Sequence, residues 1–140
     1  MSIDYDFSEI IVLDEELLSG AVLINEWCVT IIREADIAYV SGAYLGAILT
    51  AVSGIETHMR SELDSKSSLV NLINESEINE SLKQQLHAMR KYRNQWVHVD
   101  SLDNEFIPLT FADELRDELK LKAYESIKLL RKVIYARPWI

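Results

Sequence analysis

Apolar residues recur every three or four positions through most of this chain. Leu17, Ala21, Ile24, Cys28, Ile31 and Ala35 share one helical face. Asp14 stands before them as an N-cap, with Glu15 and Glu16 in a first turn where the helix dipole favours negative charge. The pattern predicts a first helix from Asp14 to about Tyr39, broken at Gly42. A second, from Ala43 to Leu63, carries Leu45, Leu49, Val52, Met59 and Leu63. After the polar connector Asp64 to Ser68, Leu69 to Ile73 reads as a short helix or helical turn. Leu82, Leu86, Met89 and Trp96 mark a third long helix, capped by Ser76 and fraying near His98. Residues 101–108 form a loop. Thr110 with Asp113 then resembles a capping box, opening a last helix on Leu115, Leu119, Ala123, Ile127, Leu130 and Ile134 that closes at Pro138. Ahead of everything, Ile10 to Leu13 is an apolar run within residues 1–13, an N-terminal arm or strand-like lead-in.

Four long helices with mostly short connections predict an all-α fold, an up-and-down bundle of four to five helices. Composition agrees: 49% of residues are hydrophobic, against four Gly and two Pro, too little punctuation for a many-turned β-fold. A chain of 140 residues makes a single domain, 1–140. The one cysteine, Cys28, rules out an internal disulfide and a cysteine-based zinc site; on its apolar row it acts as a small hydrophobe. The acidic start lacks a secretion signal, and no apolar run approaches the ~20 residues needed to span a membrane. The expectation is a cytoplasmic protein with no membrane association.

Net charge is −9, which argues against sequence-blind binding to duplex DNA. Yet Lys83, His87, Arg90, Lys91, Arg93 and His98 crowd into one stretch, enough for a small cationic site. Arg93 sits inside the row Leu82, Leu86, Met89, Arg93, Trp96, where a group that cannot lose its proton needs a partner or a pocket. Glu56 interrupts the row Leu45, Leu49, Val52, Met59, Leu63 in the same way. The economical expectation is that Glu56 and Arg93 pair in the core. Gly42, Gly46, Thr50 and Ser53 form a small-residue face for close helix packing, within the chain or against a second subunit.

His98, five residues after Arg93, is the side chain whose free pKa lies nearest neutrality. Five residues turn an ideal helix by about 140°, so the two share a site only if the helix ends near Val97 or a second copy supplies the opposite half. In one reading His98 lies at the surface and Arg93 only neutralises Glu56. In the other, His98 takes the proton of a ribose 2′-hydroxyl, Arg93 binds the scissile phosphate, and Asn94 orients the histidine or binds a phosphate oxygen. Such chemistry uses no metal or cofactor and cuts RNA but not DNA. Arg90 and Lys91 suit an RNA backbone; Tyr92 and Trp96 could stack on a base, but packing in the core is the preferred reading for both.

Arg93-Asn94-Gln95-Trp96-Val97-His98 resembles the signature of the HEPN superfamily: arginine, a polar residue, three more residues, then histidine. The segment from Ala43 to Glu56 is similar to the earlier helix of that family, which often ends on an acidic residue. The resemblance implies a helical bundle that forms a homodimer, with a metal-independent endoribonuclease cleft built from both chains. It implies Arg93 and His98 as the catalytic pair, Asn94 as accessory and Glu56 as the residue that positions Arg93. A toxin–antitoxin or phage-defence role follows, with an RNA substrate and a cognate antitoxin or nucleotidyltransferase as partner. One toxin branch carries a modified tyrosine two residues after the histidine; here that position is Asp100, and this regulation is not carried over.

The alternative is a non-catalytic acidic helical binding module, an immunity or antitoxin-like partner of a basic protein, or an accessory subunit of a nucleotidyltransferase. His58 and His87 stand alone and are expected to be solvated. Asp4, Asp6 and Glu9 lack the spacing of a calcium loop.

Overall fold

The computed structural model describes residues 4–18, 24–97 and 112–136. They form six α-helices: α1 Ser8–Leu17, α2 Glu26–Val40, α3 Tyr44–Leu63, α4 Leu69–Glu75, α5 Glu80–Val97 and α6 Ala112–Ile134. His98, Asp100, the loop 101–108, Thr110 and Pro138 lie outside the described residues. The all-α expectation holds for the described residues, with six helices in place of four to five.

The extra helix comes from the start of the chain, where the single helix expected from Asp14 to about Tyr39 is not continuous: α1 ends at Leu17, Leu18 is extended, and α2 begins at Glu26. Residues 8–17 are not an arm: Ile10 and Leu13 recur at helical spacing and are buried. Asp14 is therefore interior to α1 instead of an N-cap. The cap of α2 is Asn25, whose Oδ1 accepts from the Cys28 N–H at 2.8 Å. Ser76 similarly ends α4, donating its N–H to Leu72 and Ile73, while Asn79 Oδ1 caps α5 through the Leu82 N–H at 2.8 Å. In each case the true cap is a nearby asparagine, the side chain best able to reach the free N–H groups of a first turn. Gly42 breaks the chain between α2 and α3 at φ +86°, a conformation that suits glycine.

Helix α3 is the hub, packing most extensively on α2 and α6 and also touching α4 and α5. Gly42 and Gly54 approach Arg116 and Leu130, so α3 and α6 run parallel; Ile31 against Gly54 and Ala38 against Gly46 set α2 antiparallel to α3. Tyr92 meets Glu118 and Gln85 meets Lys132, so α5 runs antiparallel to α6. The tightest approach is at Gly54, where a Cβ would stand 2.6 Å from Ile31 Cγ2 and 3.1 Å from Leu130 Cδ1. Of the small-residue face expected from sequence, Ser53 is exposed; close packing is by Gly54, one residue round the helix.

One charged cluster runs through this core. Arg131 on α6 is 1% exposed, and its Nη1 and Nη2 donate to both oxygens of Asp36 on α2 at 2.9 and 2.6 Å. Its Nε donates to Asp14 Oδ1 on α1 at 2.7 Å, and the Tyr135 hydroxyl donates to the same oxygen at 2.7 Å. Burial alone would favour loss of the guanidinium charge; the Asp36 and Asp14 carboxylates more than offset it and hold Arg131 protonated. Burial also pushes the Asp36 carboxyl above its ordinary value, against the pull of the two Arg131 donors. Nearby, the Tyr39 hydroxyl donates to Glu9 at 3.0 Å, a second tie between α1 and α2; burial and that carboxylate push the phenol up.

Replacing Arg131 with Met leaves Asp36 buried without its cation, and is expected to cost about 3–5 kcal/mol, read as a lowered urea midpoint. Adding Asp36→Leu to the same chain is expected to recover most of that loss. Gly54→Ala is expected to cost about 1–3 kcal/mol by overpacking. Gly46→Ala, whose Cβ meets nothing nearer than 3.8 Å, is expected to be neutral or to stabilise by up to about 1 kcal/mol in the same titration.

Candidate functional site

Helix α5 divides its faces sharply. Leu82, Leu86 and Met89 are buried in the core, as the sequence row predicts. The next member of that row, Arg93, falls beyond the tightly packed layer and is half-buried. Its Nε donates to Asn94 Oδ1 at 3.0 Å, which leaves the two Nη groups for an anion.

The core pair expected between Glu56 and Arg93 does not form. Glu56 pairs instead with Arg60 Nη2 at 2.6 Å, one turn further along its own helix. That partner is already held at the right distance by α3, and glutamate preceding arginine by four residues is the favourable order. Glu56 therefore does not position Arg93 by an ion pair, and Arg93 has no carboxylate partner among the described residues.

A second face, at spacings of four, three and four, carries Lys83, His87, Arg90 and Asn94. Lys83 Nζ donates to the Asn74 carbonyl at 2.9 Å, fixing this face against α4. His87 Nε2 lies 2.9 Å from Asn74 Oδ1, and its buried Nδ1 has no hydrogen-bond partner among the described residues. Arg90 Nε is buried without a hydrogen-bond partner among the described residues. Lys91 is exposed beside it. Among the described residues none of Lys83, Arg90, Lys91 and Arg93 forms an ion pair. In a chain with 23 acidic and 14 basic side chains, that is a concentrated positive field.

Tyr92 belongs to neither face. Its hydroxyl donates to Glu118 at 3.1 Å and Lys122 Nζ lies 5.3 Å from its ring centre, so it is seated in the seam between α5 and α6. Burial, then the Glu118 carboxylate, pushes its phenol up against a lowering contact with Trp96. The described geometry gives Tyr92 a packing role ahead of base stacking. Trp96 is half-buried at the end of the same helix. His98 follows directly on Val97, the last residue of α5, and lies outside the described residues.

Both described histidines differ from the solvated expectation. His58 is half-buried on α3, 3.3 Å from Glu62, and burial lowers its pKa despite that carboxylate. Among the described residues no three His, Cys, Asp or Glu side chains stand close enough to hold a metal ion. Among them too, no helix is long and apolar enough to cross a membrane. The sequence reading missed the lysines of α6. Lys122, Lys128 and Lys132 line a cavity against α5, and their signal was available as cations recurring beside the apolar row of the last helix.

Burial lowers the His87 pKa below the usual 6.5, and the neighbouring cations Arg90 and Lys91 lower it further. A histidine depressed in the fold binds its proton more readily when unfolded, so its contribution to stability is present above pH ~6.5 and is lost as pH falls through the folded pKa. His87→Gln is expected to flatten the fall in urea midpoint between about pH 6.5 and 5, relative to the unaltered chain.

No protein-family model, curated protein or solved structure matches this chain.

Proposed function

We propose that this chain is a metal-independent endoribonuclease of the HEPN kind, acting as a homodimer in a toxin–antitoxin or phage-defence setting. The observation that carries the reading is Arg93: a half-buried guanidinium, oriented by Asn94, with no carboxylate partner among the described residues of a chain whose net charge is −9. Such a group is poised for an external anion. Arg90 and Lys91, one turn or less away, extend the positive field along which an RNA backbone would run.

In the proposed reaction His98 removes the proton from a ribose 2′-hydroxyl, and the freed oxygen attacks the adjacent phosphorus. The bond to the 5′-oxygen breaks, leaving a 2′,3′-cyclic phosphate and a 5′-hydroxyl. Arg93 binds the non-bridging oxygens as charge builds on them, and Asn94 holds the guanidinium in register. A two-fold pair of chains supplies a second imidazole to protonate the departing oxygen.

A second reading, a non-catalytic binding module, is favoured by a different observation. Ile11 and Val12 on α1 and Trp27 on α2 are 55%, 51% and 54% exposed, apolar surface suited to a protein partner. The two readings part on one assay. With chelator present, the nuclease reading expects RNA cleavage that falls at least about a hundredfold in both Arg93→Ala and His98→Ala, with helical circular dichroism retained. Cleavage that survives in His98→Ala sinks the assignment. No cleavage by the unaltered chain, with salt-sensitive capture of a basic protein partner, establishes the binding module.

A further inference from the structure

The outward row of α6 is Glu114, Asp117, Leu121, Glu125, Lys128 and Lys132, at steps of three, four, four, three and four. Its charges are sorted along the helix, with acids before Leu121 and lysines after Glu125. The helix dipole accounts for Glu114 in the first turn and Lys132 in the last, but its effect fades within a turn and does not reach Asp117 or Lys128. Glu114, Asp117 and Lys128 have no ion-pair partner among the described residues, and Lys132 Nζ reaches the neutral Gln85 Oε1 at 3.4 Å. Glu125 is engaged by Lys122 at 3.5 Å, so it brings no free charge to the middle of the row. Arg116, a cation within the acidic half, turns away onto the Tyr44 ring, 4.9 Å from its centre. Leu121 is 58% exposed, the highest value among the large hydrophobic side chains of the described residues.

We propose that this face binds a second copy of the chain, the two α6 helices lying antiparallel across a two-fold axis at the level of Ala123. The row is nearly symmetric about that point, with Glu114 balanced by Lys132, Asp117 by Lys128 and Leu121 by Glu125. The two-fold therefore sets Glu114 and Asp117 of one copy against Lys132 and Lys128 of the other, and does so twice. The two Leu121 side chains meet near the axis and leave water. Self-pairing is what the charges favour: a uniformly acidic or basic partner, or a parallel second copy, opposes like charges along the face. A helix of 23 residues is ~35 Å long and ~10 Å across, so the pair covers roughly half of the ~800 Å² per partner of a standard interface, and the association is weak and salt-sensitive. This contact is not the proposed nuclease cleft. Tyr92 meets Glu118, so Arg93 lies beside the acidic half of α6, and the antiparallel arrangement sets the two Arg93 side chains on opposite sides of the axis. The contact goes beyond that reading and doubles whatever unit exists without it.

The test is sedimentation velocity on the full chain at about 1 to 500 μM, in ~0.05 M and ~0.5 M salt. A concentration-dependent doubling of mass is expected, monomer to dimer, or dimer to tetramer where the nuclease homodimer also forms. Its affinity is expected to be at least about tenfold weaker at the higher salt. Lys128→Glu with Lys132→Glu turns the lysine half acidic, and Glu114→Lys with Asp117→Lys turns the acidic half basic. Each double variant alone is expected to lose the doubling, and an equal mixture of the two to recover it. Where a reversed variant loses its helical circular dichroism, Lys128→Gln with Lys132→Gln replaces it, with about a tenfold weakening expected. Lys120→Glu, at an exposed position of the same helix off the row, is expected to change nothing. The proposal is overturned if the unaltered chain shows no doubling, if a double variant associates as well as the unaltered chain, or if the mixture of folded variants stays apart. RNA cleavage is not read here, so failure of this contact and failure of the nuclease reading are separate results.

Discussion

The buried Arg131 guanidinium is the constraint on which the arrangement of helices depends. Its donors reach both oxygens of Asp36, Oδ1 of Asp14 and the Ile127 carbonyl, and the Tyr135 hydroxyl donates to the same Asp14 oxygen. Those contacts join α6 to α1 and α2, helices from opposite ends of the described sequence. A planar fork satisfied by two carboxylates tolerates only a narrow range of positions. The cluster therefore acts on geometry more than on net stability, because desolvating three charges offsets much of their attraction. Apolar side chains supply the driving force around it: Ile127 and Leu130 on α6, Ile48 and Ile55 on α3 and Leu13 on α1 are buried alongside.

Once α6 is fixed in this way, α5 is the helix on which the cations without carboxylate partners gather. Its core face is spent on Leu82, Leu86 and Met89, and two borders flank that face. One, carrying Lys83, His87 and Arg90, is tied to α4 through Asn74; the other looks across at the lysines of α6. Acidic residues neutralise neither border completely, although the chain as a whole is strongly acidic. The acids are engaged elsewhere, at Arg131, at Arg60 and in the first turns of helices. Segregation of this kind produces local positive potential without a basic protein, and the net charge still opposes indiscriminate binding to polyanions.

Arg93 gains its interest from the same segregation. A cation whose row runs out of the core is freed from the need for a buried counter-ion, but its helix still holds its backbone rigidly. Asn94 takes one donor and orients the rest. The consequence is a guanidinium that is positioned but not neutralised, the state required of a group that is to meet a phosphate.

The helical class, the central two helices of the pattern and the core rows of α5 and α6 were legible in the sequence, because helical periodicity is a local property of the chain. On α3 the expected row was partly misplaced, since Val52 and Met59 are buried but the rest of the buried face is Ala47, Ile48, Ala51, Gly54 and Ile55 in place of Leu45, Leu49 and Leu63. Tertiary structure decided which charges are buried together. Arg131 lies four residues after Ile127 and three before Ile134, and Asp36 four after Ile32 and three before Tyr39, so both interrupt apolar rows as plainly as Arg93 and Glu56 do. Periodicity marks such positions without saying which ones face each other. That depends on helix order and crossing, which places Asp36 against Arg131 and leaves Glu56 to Arg60. The start of the chain follows the same logic: Ile10 and Leu13 suit a strand or a helix over so short a run, and only α6 beneath them settles the choice. What the sequence determines alone is the period and the chemistry available. Pairing across helices belongs to the fold, since no interaction between Asp36 and Arg131 exists until the chain has closed the distance between them.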